Sequence, residues 1–185
     1  MATDPPLTVR PQRAADRDAV RNVLTAAFGR PAVADLSEAL QIGAAAQRAG
    51  ALVAELAGEL VGQVQLSTSW VDAPERVVPV LVLSPLGVLP EQQGRGIGSE
   101  LVRAALAMAA ELDAPAVFLE GSPRYYPRFG FEPAGRHGFS APSVRIPAAA
   151  FQVVLLESWQ PWMVGALAYA DPFWAFDCVG LRETP

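Results

Sequence analysis

The sequence predicts an α/β (α+β) domain built on a mixed, mostly antiparallel sheet with one parallel pair of strands. Three observations carry this. Two short segments, Ala51–Leu56 and Leu60–Ser67, flank Ala57-Gly58-Glu59, whose glycine suits a tight hairpin. The run Val77–Val88 is too continuously apolar for a strand with one wet face and reads as a central strand buried on both. It leads through a glycine-rich loop and a helix into the short strand Ala116–Leu119, a βαβ unit whose strands are parallel with a right-handed crossover.

The remaining elements follow in order. Leu7–Arg10 alternates as a first strand, and Asp16 opens a helix. Val20, Val23, Leu24, Ala27 and Phe28 share one helical face, and Gly29 and Pro31 stop it. Val33–Arg48 is expected as a second, Ala-rich helix closed by Gly50. Trp70–Arg76 reads as a polar loop. Pro85 and Gly87 are anomalous inside a buried strand, because proline cannot donate to a ladder and glycine marks a bulge, so a break is expected there. Ile97, Leu101, Ala105, Met108 and Leu112 form the apolar stripe of the crossover helix. Pro123–Arg128 suits a short helix and Ala134–Ala150 a loop. Phe151–Glu157 is a strand, with Val164–Tyr169 expected as its antiparallel partner.

Composition excludes several functions. The chain has 185 residues, 51% hydrophobic and 18% charged, enough for one domain that buries about 70% of its unfolded surface. The net charge of −5 argues against nucleic acid as a partner. All fourteen basic residues are Arg, which removes a Walker loop, a Schiff-base lysine and a kinase lysine together. One His and one Cys leave no metal site and no internal disulfide. The start, Met1–Pro6, is unlike a signal peptide, and no apolar run reaches a spanning length, so no membrane partner and a cytoplasmic location are expected.

Chemistry concentrates in Gln93-Gly94-Arg95-Gly96-Ile97-Gly98-Ser99, between the buried strand and the helix. A helix N-terminus presents unpaired N–H groups and the positive end of the dipole, glycines admit a phosphate closely, and Arg95 adds a charge. A diphosphate is the natural guest. Three readings compete. The glycines simply permit a tight turn; or Gly94-x-Gly96 begins a dinucleotide fingerprint, with Glu120 near the ribose-binding spacing but Ser99 where Gly or Ala is required; or the loop binds the pyrophosphate of coenzyme A.

On the third reading, Leu86-Gly87-Val88-Leu-Pro90-Glu-Gln-Gln93-Gly-Arg-Gly96-Ile-Gly98 resembles motif A of the GCN5-related N-acetyltransferases, the GNAT family, and Tyr126-Pro-Arg-Phe-Gly130-Phe131 resembles its second signature. Pro85-Leu86-Gly87-Val88 with Tyr125-Tyr126-Pro127-Arg128-Phe129-Gly130-Phe131 is similar to the YhbS-like branch of bacterial acetyltransferases. The resemblance runs from about Leu7 to Tyr169. It implies the GNAT acyl-CoA N-acyltransferase fold, with helices on both faces and a fourth strand that bulges, which Pro85 and Gly87 fit, and splays from its parallel neighbour so that the pantetheine arm of acetyl-CoA enters the V. Backbone groups of Leu86, Gly87 and Val88 would hold pantetheine and polarise the thioester carbonyl.

The resemblance further implies acetyl transfer to an amine of a small molecule or peptide by direct attack, with Tyr126 as general acid. The other class of reading is a non-catalytic acyl-CoA-binding sensor or regulatory module. Glu120, at the end of its strand beside the splay, is the best-placed carboxylate for a base, although the YhbS-like pattern carries an apolar residue there, and Ser122 replaces the pattern's Asp while Gly121 is kept. Trp70, Asp72 and His137 are the candidates for the acceptor side. Cys178 has Asp177 beside it, which discourages a thiolate. Residues 1–170 are assigned to the domain and 171–185 to an aromatic tail that packs on it, covers the acceptor cleft or meets a partner subunit in a homodimer.

Overall fold

The computed structural model describes residues 6–180; the N-terminal Met1–Pro5 and the last five residues of the aromatic tail lie outside the described residues. Within them β1 (Leu7–Pro11), α1 (Arg17–Phe28) and α2 (Pro31–Ala39) precede a meander of β2 (Gly50–Leu56), β3 (Glu59–Asp72) and β4 (Val77–Val88). The crossover helix α3 (Ile97–Glu111) leads to β5 (Ala116–Glu120); β6 (Glu132–Pro133), β7 (Phe151–Leu155), β8 (Ala166–Ala168) and α4 (Asp171–Ala175) complete the chain. The sheet runs β1-β2-β3-β4-β5-β7-β6, antiparallel except for β4 and β5. This is the mixed sheet with one parallel pair that the sequence predicts.

Alternation along β5 explains the two layers. Val117 and Leu119 enter a core with Leu101, Val102 and Ala105 of α3. Ala116 and Phe118 enter another with Leu36 of α2, Leu40 at its C-terminal end and Phe173 of α4. Gly87, on the α1 face of β4, permits close packing there: a Cβ would lie 2.9 Å from Leu24. Helices therefore cover both faces.

Four expectations are corrected. The second helix does not run to Arg48: α2 stops at Ala39, Gly43 turns the chain with φ +66°, and only a 3-10 turn at Gly43–Ala46 follows. Trp70 and Asp72 are not in a loop, because β3 extends to Asp72 and pairs with β4 throughout. β4 is not broken at Pro85 but bulged, as the family resemblance implies. Leu83 and Leu86 face Leu66 and Val64, so β4 carries one extra residue, a bulge at Ser84-Pro85 where no proline N–H is needed. Lastly, β8 pairs with β3 rather than β7. Both edges of β7 are taken, by β5 and β6, whereas β3 outruns β2 beyond Leu66 and offers an open edge at Trp70–Asp72.

The C-terminal aromatics divide sharply. Phe173 is 2% exposed and lies 4.8 Å from Tyr169, ring to ring, whereas Trp174 is 45% exposed. Phe173→Ala should therefore cost about 3–5 kcal/mol by opening a core cavity. Trp174→Ala should stay within about 0.5 kcal/mol. Chemical denaturation of both variants reads the difference.

Candidate active site at the splayed strands

The pairing of β4 with β5 is confined to Leu81 with Val117 and Val82 with Phe118. Beyond that, β4 continues to Val88 on β3 while β5 continues to Glu120 on β7, so each strand is held by its outer neighbour and the inner edges part. Leu89 donates to Val61 across the β3 side, so by strand alternation the N–H and C=O of Leu86 and Val88 point to the opened edge. The Val88 carbonyl there accepts from the Gln93 side chain at 3.0 Å.

One groove, of about 450 Å³, lies along this edge and the start of α3. Leu86, Val88 and Gln93 line its strand side, and Gly94, Gly96, Ile97, Gly98 and Ser99 its helix side. Gly94 and Gly96 adopt φ +76° and +84°, a region that favours glycine. Ser99 and Glu100 both donate to the Gly96 carbonyl, and no side chain caps the helix, so the N–H groups of Ile97 and Gly98 are left for a ligand. A Cβ on Gly98 would lie 3.0 Å from the Tyr125 hydroxyl and narrow the groove. These features fit an extended ligand with a diphosphate at the helix end. Of the ten residues expected at this site, Gly87 instead faces α1, and Arg95 is bonded to Gln92 outside the lining.

The two tyrosines differ in place: Tyr125 lines the groove, whereas Tyr126 lines neither cavity of the splay. Tyr125 lines the groove with its hydroxyl 3.4 Å from Ser99 Oγ, at the helix end. Tyr126 packs against Gly121, where any Cβ would overlap its ring, at the C-terminal end of β5. Its ring also meets Tyr125 and Phe131 edge-on. Burial pushes the Tyr126 hydroxyl up to about 12, with the neighbouring Tyr125 adding to it, so it stays protonated well above neutral pH. Composition gave no reason to place Tyr125 and Arg128 in the groove; the tight turn around Pro127 does.

A second cavity, of about 210 Å³, opens on the other face of the splay. Ser84 and Pro85 of the bulge and Glu120 of β5 form its floor. Glu120 accepts from the Gly180 N–H at 3.0 Å, with the Tyr169 hydroxyl beside it. Burial raises its pKa; Tyr169, the Gly180 N–H and the charge of Arg145 oppose that. Tyr169, Phe173, Cys178 and Gly180 close the other side. Sequence reasoning did not place this wall, although the alternation Leu167, Tyr169 carries a signal for the inward tyrosine.

The remaining candidates stand elsewhere. Trp70 and Asp72 lie opposite Pro79 and Val77, five and seven residues along β4 from Ser84, roughly 17 and 23 Å at about 3.3 Å per residue. His137 pairs with Glu132 at 2.7 Å beside β6. None of the three lines either cavity of the splay. Among the described residues no group of His, Cys, Asp and Glu is placed to hold a metal, and no helix is long and apolar enough to cross a membrane.

Known proteins share this arrangement. A family model described as an acetyltransferase (GNAT) domain matches residues 8–134. The uncharacterized N-acetyltransferase YjhQ of Escherichia coli (strain K12) is 36% identical over 162 residues, covering 85% of this chain and 88% of that one. The crystal structure of the GNAT family N-acetyltransferase YhbS from Escherichia coli in complex with CoA superposes with a TM-score of 0.79 at 27% identity, covering 94% of this chain and 96% of the other. A GNAT family acetyltransferase from Brucella melitensis in complex with acetyl-CoA gives 0.71 at 28% identity, over 91% of this chain and 98% of that one.

Proposed function

The chain belongs to the GNAT family of acetyl-CoA-dependent acyltransferases, and from that premise we propose that it transfers an acetyl group to the amine of a small molecule by direct attack at the splay between β4 and β5. One observation carries this reading: two cavities meet the same opened strand edge from opposite faces, one lined by the glycine loop and the other by a buried carboxylate. The CoA and acetyl-CoA bound by the two structural relatives support the groove as the co-substrate site here.

Acetyl-CoA supplies the activated acetyl group. The N–H groups of Ile97 and Gly98, at the positive end of α3, receive the diphosphate. Leu86 and Val88 offer backbone groups to the pantetheine arm, and an N–H on this edge stabilises the negative charge that develops on the thioester oxygen. Glu120 takes the proton of the attacking amine, and its raised pKa makes it a better base than an exposed carboxylate. Tyr126 is the donor to the departing sulfur. Its position against Gly121 favours it over Tyr125, whose hydroxyl is beside Ser99 at the helix end.

Tyr126→Phe is expected to lower kcat by roughly 10²-fold with little change in CoA affinity. Tyr125→Phe should act mainly on CoA affinity. Equal kcat in wild type and Tyr126→Phe would assign the proton to solvent. The reading as a whole is tested by thiol release across a panel of primary amines alongside CoA calorimetry. Turnover of at least one amine is expected; CoA binding with silence across the whole panel would favour a binding module.

A further inference from the structure

We propose that the acceptor is a small amine that also carries a carboxylate, in the class of an amino acid with an apolar side chain. This rests on the acyl-transfer reading above and concerns the cavity that holds Glu120.

Size comes first. The cavity measures about 210 Å³, and an apolar cavity of about 150 Å³ accommodates one benzene. There is room for a ring or a branched alkyl group with two polar ends. Chemistry comes second. Phe28, Val33, Leu36 and Phe173 supply an apolar wall, while Glu120 at the end of β5 supplies the acceptor for an amine proton. Arg30 lines the same cavity from the junction of α1 and α2, and its guanidinium has no hydrogen bond or ion pair among the described residues. Asp177 reaches the cavity as well, but it already has an interaction of its own.

The charged groups are close to one another. The Cys178 thiol is raised by burial first, then lowered by Arg30 and raised by Asp177 and Glu120, so one sulfur lies within electrostatic range of all three. A simple amine or a polyamine, arriving as a cation, would leave Arg30 without a carboxylate partner from the ligand and meet it with like charge, although Glu120 and Asp177 line the same cavity. A carboxylate on the same small molecule neutralises Arg30, directs the amino group toward Glu120 and leaves the side chain for the apolar wall. The juxtaposition of one guanidinium, the Glu120 carboxylate with Asp177 beside it, and an apolar wall around about 210 Å³ favours this class.

The test compares leucine and phenylalanine with their decarboxylated counterparts, isoamylamine and phenethylamine, and with spermidine, by steady-state thiol release. CoA binding is measured by calorimetry on the same preparations. Wild type is expected to favour each amino acid over its decarboxylated counterpart by about 10- to 100-fold in kcat/KM, the range of one charge-assisted hydrogen bond. In Arg30→Gln that ratio should collapse toward one, with the loss in KM. Arg30 is exposed, and intact CoA binding verifies that the variant is folded. A wild type that prefers the decarboxylated amines or spermidine, or a ratio unchanged in Arg30→Gln, overturns the inference. So does turnover of none of these amines while CoA binds normally. Absence of CoA binding would overturn the acyl-transfer reading itself, and this inference with it.

Discussion

Gly96→Asp is expected to weaken CoA binding by about 3 kcal/mol or more, over a hundredfold in Kd. Two effects act together at this position. Gly96 sits at φ +84° as the N-cap of α3, a conformation that disfavours a side chain, by roughly 1–2 kcal/mol for most residues. Asp tolerates that conformation better than most, and nothing lies within 4 Å of the added Cβ, so the variant should fold. Its carboxylate then stands at the helix end where the diphosphate is expected, and like charges repel. Gly96→Asn imposes a similar side chain without the charge, so its smaller loss isolates the electrostatic part. Calorimetry on both variants reads the result. Unchanged affinity in a folded Gly96→Asp protein would remove the glycine loop from the co-substrate site.

Glu120→Gln is expected to lower kcat by about 10²- to 10⁴-fold while CoA affinity stays within a fewfold. The substitution keeps an oxygen for the Gly180 N–H and removes the base. The pH dependence carries a sign. Because burial raises the Glu120 pKa, the ionised base predominates only above a higher pH than for an ordinary carboxylate. The acid limb of kcat/KM in wild type should therefore rise through that elevated value, and the variant should lose this limb. Stability moves in the opposite sense. The native state disfavours the ionised form, so this destabilising contribution is present above the native pKa and relieved as pH falls below it. Glu120→Gln removes that contribution at neutral pH. A variant with wild-type kcat and an unchanged acid limb would assign proton removal to water.

Much of the proposed co-substrate half of the site was legible in the sequence because it is local. A buried strand, a glycine loop and an apolar helical stripe follow one another without interruption from Val77 to Leu112, and the geometry of that turn is set by glycine φ values and by the N-terminus of α3. The proline and glycine at positions 85 and 87 likewise announced an irregular strand. Whether the irregularity was a break or a bulge depended on β3, which keeps β4 in register on either side of one extra residue. The edge taken by β8 depended on the difference in length between β2 and β3, which no pattern within Val164–Tyr169 encodes.

The proposed acceptor half belongs to the tertiary structure. Glu120 has the same sequence neighbours whether it is a solvated strand end or a buried carboxylate; it becomes the latter because Tyr169 and Gly180, 49 and 60 residues later, fold over it, the Gly180 N–H donating to its carboxylate. Arg30 and Phe173 join it only because α1 to α2 and α4 cover one face of the sheet. Tyr125 and Tyr126 are adjacent, yet the turn that follows sends one hydroxyl to the helix end of the groove and packs the other ring on Gly121. Local sequence determines backbone conformation over a few residues, whereas desolvation and cavity shape arise from contacts between segments far apart in the chain, and those contacts decide which side chains meet.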